Sequence, residues 1–129
     1  MRLEWRAEMS KRLEEFLNEK GLAYEKYDED YFLTEKVAKH NDDVLYLEVY
    51  VKWEDDKGTL TIHDGGCIAG NMFAQFASKD KSIVAKLVAI CKKYGISKKG
   101  HIFFTKSTVE DFDSKLEKFI NAADEIYDI

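Results

Sequence analysis

The sequence predicts an α+β fold, a mainly antiparallel sheet with helices packed on it, in the order α-β-β-β-β-α-α-β-α. Two patterns predict it. Segments with period-2 alternation follow one another without helices between them, which favours hairpins over βαβ units. Segments with apolar residues at intervals of three and four lie on both sides of them. With 129 residues, 45% of them hydrophobic, the chain fits one domain, residues 1–129, around one core.

The clearest element is a central hairpin. From Val44 to Trp53 apolar and polar residues alternate, and after the charged turn Glu54 to Gly58 the alternation resumes from Thr59 to His63. Such a pair of arms predicts an antiparallel hairpin with one buried face. The face that we expect to be buried carries Leu45, Leu47, Val49, Val51, Leu60 and Ile62.

Three elements are predicted upstream of this hairpin. An amphipathic helix runs from about Arg2 to Lys20 and is ended by a glycine. Two strands follow, from Leu22 to Tyr27 and from Tyr31 to Lys39, with the acidic turn 28–30 between them. Asn41, Asp42 and Asp43 then supply side chains that favour a turn.

Downstream, Asp64-Gly65-Gly66 breaks the sheet, since glycine tolerates positive φ. A short helix is predicted from about Ala69 to Ala77, and a second one from Asp80 or Ser82 to Tyr94, closed by Gly95. The apolar positions of the second helix predict a wide buried face: Ile83, Val84, Leu87, Val88, Ile90, Cys91 and Tyr94.

The last predicted elements are a strand, Gly100 to Lys106, and a helix. Ser107 and Glu110 have the spacing of a capping box at its start. Apolar residues at intervals of three and four continue along the helix: Val109, Phe112, Leu116, Phe119, Ile120, Ala123 and Tyr127.

Composition excludes several function classes. The net charge of −5 comes from 25 acidic and 20 basic residues that we take as mixed along the chain, which argues against unaided binding to nucleic acid. No phosphate-binding loop or dinucleotide motif is present, so no cofactor is expected. Without a signal peptide at Met1 or an apolar run of membrane length, we expect a cytoplasmic protein with reduced Cys67 and Cys91 and no membrane partner.

The most suggestive chemical pair is His63-Asp64, because a histidine beside a carboxylate at a strand end can act as a base or a metal ligand. Cys67 and His40 lack a diagnostic ligand spacing, so no metal site and no catalytic residue are assigned. The alternative is a metal-dependent hydrolase or nuclease that uses Asp64, His63 and Glu48.

A binding surface is the preferred interpretation. Acidic residues in the turns, beside an aromatic anchor, could together form a negatively charged edge that receives another protein. The residues predicted for this edge are Asp42, Asp43, Glu54, Asp55, Asp56 and Trp53. A third possibility is a homodimer that forms through a sheet edge or the N-terminal helix.

The segments HNDDVLYLEVYV, TLTIHDGG, CKKYGI and LEKFINAADEIYDI resemble the bacterial and prophage family called domain of unknown function 1828. The resemblance covers Tyr31 to Ile129, and its matching positions are Asp42 or Asp43, Asp64, Gly65, Tyr94 and Gly95. The chain departs from the family pattern at Gly66 and lacks the proline expected between Glu35 and Lys39.

This family implies a setting in phages or mobile elements and no established reaction. In size, charge and order of elements the chain is also similar to acidic secretion-chaperone-like domains, a likeness of fold alone. The sequence therefore predicts an accessory, non-enzymatic module that binds another protein.

Overall fold

A computed structural model describes residues 7–8, 11–12, 14–15, 18–19, 24–28, 31–40, 43–54, 59–78, 80–108 and 110–129. The described residues before 20 are helical, in agreement with the predicted N-terminal helix. The Arg12 guanidinium lies 3.8 Å from the Asp113 carboxylate, which puts this helix beside the last helix of the chain.

Among the described residues, six strands, numbered along the chain, form one sheet in which every neighbouring pair is antiparallel, in the order β1-β2-β3-β4-β6-β5. This confirms the predicted α+β fold with an antiparallel sheet. The strands are β1 Tyr24–Asp28, β2 Tyr31–His40, β3 Asp43–Trp53, β4 Leu60–His63, β5 Ser97–Lys99 and β6 Ile102–Ser107.

Four further helices follow β4: α1 Cys67–Asn71, α2 Phe73–Ala77, α3 Lys81–Tyr94 and α4 Phe112–Tyr127. Two predictions of element number were wrong. The helix expected over 69–77 is two short helices, because the backbone leaves the helical region at Met72, with φ −105° and ψ 22°. The strand expected over 100–106 is the second arm of a hairpin, whose first arm β5 was missed and whose turn contains Gly100 at φ 61°.

The core lies between one face of the sheet and the helices. Along β3, Leu47, Val49 and Val51 are buried, whereas Glu48 and Tyr50 between them are half-buried on the opposite face. Helix α4 supplies the largest helical share of the core: Phe112, Leu116, Phe119, Ile120, Ala122, Ala123, Ile126 and Tyr127. The predicted apolar stripe of α4 is thus confirmed over its described residues, which leave out Val109.

Helix α3 begins and ends as predicted but is buried much less. Asp80 caps it by accepting a 2.8 Å hydrogen bond from the Ser82 backbone N–H, and Gly95 closes it at φ 69°. No residue of α3 is buried, and Val84 and Val88 are 50% and 58% exposed. The expected wide buried face was wrong, because only Leu87, Ile90, Cys91 and Tyr94 pack against the core.

The capping box predicted at Ser107 and Glu110 does not form at the start of α4, because Ser107 still pairs with Leu60 in the sheet and the N-cap residue is Asp111, which makes no side-chain capping hydrogen bond. A pair of reciprocal bonds lies in the turn before the helix instead. The Thr108 backbone N–H donates to Asp111 Oδ1 over 2.7 Å, and the Asp111 N–H donates to Thr108 Oγ1 over 3.4 Å. Such reciprocal bonds satisfy backbone donors that precede a helix.

Candidate functional site

Asp64, predicted as half of a reactive pair, is completely buried. Its Oδ1 accepts hydrogen bonds from the backbone N–H groups of Gly66, 3.1 Å, and Phe103, 3.0 Å, and its Oδ2 accepts one from Ile68, 2.9 Å. A buried carboxylate is stable only when such donors replace its water. Both oxygens are therefore engaged in joining the β4–α1 turn to β6, and neither is accessible to a substrate.

The turn after Asp64 depends on two glycines. Gly65 and Gly66 have φ values of 61° and 91°, in the left-handed region that glycine adopts at least cost. This path brings the Cys67 N–H within 3.0 Å of the Asp64 carbonyl oxygen. The sequence prediction of a glycine break at this point is confirmed.

His63 is half-buried and stacks on Tyr50, with ring centroids 5.0 Å apart and an angle of 7° between the planes. Its Nδ1 accepts a 3.0 Å hydrogen bond from the Gly65 N–H. Burial lowers the pKa of His63 below its ordinary value, and the Lys52 charge acts in the same direction, while Asp64 and Glu54 oppose it. The neutral imidazole is therefore the form that the fold favours.

The predicted catalytic residues do not form one constellation. Glu48 accepts a 3.1 Å hydrogen bond from the Tyr50 hydroxyl. Tyr50 thus stands between Glu48 and His63, whereas the Asp64 carboxylate is turned into the protein. Within the described part of the chain, no three histidine, cysteine, aspartate or glutamate side chains are grouped to hold a metal ion.

Two cross-strand rows lie on the sheet face opposite the core, which we call the outer face. In one row, His63 pairs with Tyr50 on one side and with Phe104 on the other. In the next row, Thr61 pairs with Lys52 and with Lys106. The outer face consists of Glu48, Tyr50, Lys52, Thr61, His63, Ser97, Lys99, Ile102, Phe104 and Lys106 among the described side chains.

Glu54 is held at the end of the second row. It accepts a hydrogen bond from the Thr61 hydroxyl and lies 3.6 Å from Lys106 Nζ, which itself donates to Thr61 over 2.7 Å. The Thr61 hydrogen bond lowers the pKa of Glu54, as do the Lys106 and Lys52 charges, against an opposing effect of burial. This ion pair lies at the end of the Thr61 row of the outer face.

Two residues predicted for the acidic edge, Asp43 and Trp53, stand at the two ends of β3. Asp43 begins β3 and Trp53 ends it, so the two ends of this 11-residue strand are roughly 30 Å apart. Tyr31 pairs with Lys52, which puts the β1–β2 connection at the Trp53 end. The predicted residues Asp42, Asp55 and Asp56, and the side chains of Asp43 and Trp53, lie outside what the structure describes.

Beside Ile102 of β6, which is 41% exposed, three exposed apolar residues on the helices were missed by the sequence prediction. Phe73 on α2 is 72% exposed, and Val84 and Val88 on α3 are the exposed pair noted above. Helix α2 contacts α3, and we call these three residues the α2–α3 surface. Amphipathic spacing could not reveal it, because the spacing marks apolar positions without showing which of them a neighbour covers.

A second missed feature is a segregation of charge. From Lys81 to Val109 the chain has seven lysines and no acidic residue, so the expectation of mixed charges was wrong. A count of acidic and basic residues in successive windows along the sequence would have found this stretch. It forms α3 and the β5–β6 hairpin, and its exposed members include Lys81, Lys92 and Lys99.

The two cysteines are free and differ in surroundings. Cys67 Sγ lies 3.7 Å from the Tyr127 hydroxyl, which accepts a 2.9 Å hydrogen bond from Asn71. Burial raises the pKa of Tyr127 well above its ordinary value, and it also raises the pKa of Cys91. Both groups therefore stay protonated and take the role of packing or hydrogen-bonding partners.

Comparisons of the chain with family models, curated proteins and solved structures give no match. The resemblance to domain of unknown function 1828 rests on its quoted motifs and stays a prediction. In the part of the chain that the structure describes, no helix has the length and apolar character that crossing a bilayer requires.

Proposed function

We propose that this chain is a non-enzymatic module that binds another protein through the α2–α3 surface. The observation that carries the proposal is the exposure of Phe73, Val84 and Val88, at 72%, 50% and 58%. Helix α2 contacts α3, and exposed apolar side chains on neighbouring elements are typical of protein interfaces. The accessory, cytoplasmic role in a phage or mobile element is supported by the family resemblance and belongs to the same proposal.

The geometry gives the enzyme alternative little support. General acid–base work needs a group within hydrogen-bond reach of a substrate. The Asp64 carboxylate is buried under three backbone donors, and His63 Nδ1 is already occupied by the Gly65 N–H. The Glu48 carboxylate accepts a hydrogen bond from the Tyr50 hydroxyl. The contacts of these residues stabilise the turn after β4 and the outer face of the sheet.

The lysines around the α2–α3 surface indicate the charge that we expect on the partner. Lys81 lies three residues before Val84, and Lys92 lies four residues after Val88, so both lysines share their side of the helix. Helix α3 carries four lysines and no acidic residue. A partner that buries the two valines must face these ammonium groups, and we therefore expect an apolar patch with an acidic rim.

Self-association through the β5 edge is less favoured by the same charges. Residues 97–99 of β5 are all exposed, and two of them are Lys98 and Lys99. Lysines on an edge strand disfavour pairing with a second copy, because the added strand would bring like charges together. A homodimer through the N-terminal helix stays a prediction.

The proposal is tested by affinity capture from host lysate with three baits. The baits are the wild type, the double variant Val84→Glu and Val88→Glu, and the double variant Asp55→Lys and Asp56→Lys. We expect a stoichiometric partner that the first variant loses and the second retains. Both valines are exposed, so circular dichroism should show an unchanged fold.

Two results would contradict this assignment. Loss of the partner only in the lysine variant would transfer the binding site to the acidic turn that the sequence predicted. Equal recovery of the partner by all three baits would remove the α2–α3 surface from the interaction. If the wild-type bait recovers no other protein, the molar mass of the purified protein in solution is measured. A molar mass that rises with protein concentration would support the homodimer.

A further inference from the structure

The outer face, which the proposed protein site on α2 and α3 leaves uncovered, displays a row of three rings. Tyr50, His63 and Phe104 lie on the adjacent strands β3, β4 and β6, and each pairs with its neighbour across the sheet. All three are half-buried, so each ring is packed and still partly accessible. Aromatic side chains presented by an open sheet are surfaces on which unpaired bases stack.

The Tyr50 ring is fixed before any ligand arrives. Gly65 approaches it so closely that an added Cβ would lie 2.7 Å from Tyr50 Cε2. The Tyr50 hydroxyl is anchored on Glu48, and the His63 imidazole stacks on the ring at 5.0 Å. A ring held on three sides loses little further conformational entropy on binding, which favours affinity.

Cationic side chains surround this row. Lys52 and Lys106 lie in the neighbouring row of the outer face, and Lys99 on the edge strand pairs with Ile102, next to Phe104. Lys99 and Lys106 belong to the stretch from Lys81 to Val109, which contains no acidic residue. Phosphate groups are attracted by such a cluster whatever the sequence of the bases.

Two acidic side chains described on or beside the outer face, Glu48 and Glu54, are each held by neighbouring groups. Glu48 accepts from Tyr50, and Glu54 is held by Thr61 and Lys106. Among the described side chains of this face, the three lysines Lys52, Lys99 and Lys106 outnumber these two carboxylates, and charges farther away than about 10 Å are largely screened at 0.1 M salt. Because Lys99 and Lys106 belong to a stretch without acidic residues, evenly mixed charge does not exclude nucleic acid from this face.

We propose that the outer face binds single-stranded nucleic acid, with bases against the Tyr50, His63 and Phe104 row and phosphates near Lys99 and Lys106. A single strand fits this face better than a duplex, because only unpaired bases offer their rings for stacking. The proposed sequence preference is weak, since stacking accepts every base.

The test is fluorescence anisotropy with labelled oligonucleotides of about 20 residues: oligo-dT, oligo-U and a DNA duplex. Two variants change the outer face, Phe104→Leu and Lys99→Gln. Two matched controls make the same changes on the helical side, Phe73→Leu on α2 and Lys86→Gln on α3, where both residues are exposed. Thermal unfolding confirms that each variant is folded.

We expect both single strands to bind more tightly than the duplex. Phe104→Leu should weaken binding by about 5- to 100-fold, the range expected when one base–aromatic stack is lost. Lys99→Gln should reduce the slope of log K against log salt concentration by about 0.7, the contribution of one phosphate contact in a single strand. The two control variants should bind like the wild type.

Three results would overturn the proposal. The first is no binding of either single strand at about 100 μM protein in low salt. The second is duplex binding as tight as that of the single strands. The third is equal weakening by the control variants, which would place a non-specific electrostatic contact on α3. None of these results bears on the protein-binding proposal, which rests on the exposed valines of α3 and not on the outer face. A difference between oligo-dT and oligo-U shows only whether the strand is DNA or RNA.

Discussion

Asp64 and Phe103 are joined by two hydrogen bonds in opposite directions. The Asp64 N–H donates to the Phe103 carbonyl oxygen over 3.2 Å, and the Phe103 N–H donates to Asp64 Oδ1 over 3.0 Å. The last regular pair of β4 and β6 is His63 with Phe104. The carboxylate therefore takes the place of a strand carbonyl where the backbone leaves the sheet, and it extends the ladder by one pair.

This relationship predicts a large loss of stability for Asp64→Ala. The variant would leave three backbone N–H donors without their acceptor, at a residue that is 0% exposed. We expect a loss of about 3 kcal/mol or more in the free energy of unfolding, measured with urea. This exceeds the value of about 1 kcal/mol expected for an aspartate in an exposed turn.

Asp80→Ala is the matched control, because it removes an aspartate that caps α3 from an exposed position. We expect a clearly smaller loss there. The loss of stability for Asp64→Asn should lie between those of the two alanine variants. Asparagine keeps one oxygen acceptor, but its amide N–H₂ group faces a backbone N–H donor. Equal losses for Asp64→Ala and Asp80→Ala would show that the Asp64 hydrogen bonds contribute little.

Gly65→Ala and Gly95→Ala separate two costs of replacing a glycine. Both residues have positive φ, 61° and 69°, so an alanine at either site costs about 1 to 2 kcal/mol for the left-handed conformation. At Gly95 the new methyl group meets nothing within 4 Å, whereas at Gly65 it would lie 2.7 Å from the Tyr50 ring. We expect the larger loss for Gly65→Ala, together with shifted NMR signals of the Tyr50 and His63 rings. Equal losses with unchanged ring signals would contradict the close approach.

The sequence located most elements because their patterns are local. The alternation along β3 and β4 predicted both strands to within one residue, and Asp80 and Gly95 marked the ends of α3. Strand β5 was missed because Ser97–Lys99 has no apolar alternation, and it is a strand only through its pairing with β6. Its formation depends on a partner that local pattern does not show.

The candidate site shows the same limit. The sequence singled out His63 and Asp64, but one of the three donors to the Asp64 carboxylate comes from Phe103, 39 positions along the chain. Whether an aspartate faces solvent or replaces a backbone acceptor depends on that contact. In α3 the apolar spacing was correct, yet the exposure of Val84 was decided by which helices lie beside it.

The exposure of α3 predicts that Val88→Ser is nearly neutral. Val88 is 58% exposed, so a polar side chain loses little apolar burial, and we expect a change within about 0.5 kcal/mol in the free energy of unfolding. Leu116→Ala, at a position of α4 that is 0% exposed, should cost about 2 to 5 kcal/mol. Denaturant titrations of both variants provide the comparison. A loss for Val88→Ser close to that for Leu116→Ala would restore the wide buried face that the sequence predicted.

Stability should fall as the pH drops through the range in which His63 titrates. Burial lowers the pKa of His63 below its ordinary 6.5, so the unfolded chain binds this proton at a higher pH than the folded chain does. The stabilisation from neutral His63 is complete above about pH 6.5 and is lost between that value and the lower pKa of the folded state. The slope that one proton can produce is at most about 1.4 kcal/mol per pH unit.

Urea titrations at pH values from about 7.5 to 5.5 measure this slope for the wild type, His63→Gln and His101→Gln. His63→Gln should flatten it, and His101→Gln is the matched substitution at an exposed histidine of the β5–β6 turn. The carboxylates of Glu54 and Asp111, whose pKa values are lowered, contribute stability that is lost only at more acidic pH, below about 4.5. An equal slope in His63→Gln and the wild type would show that the stacked imidazole is protonated as readily in the folded protein as in the unfolded chain.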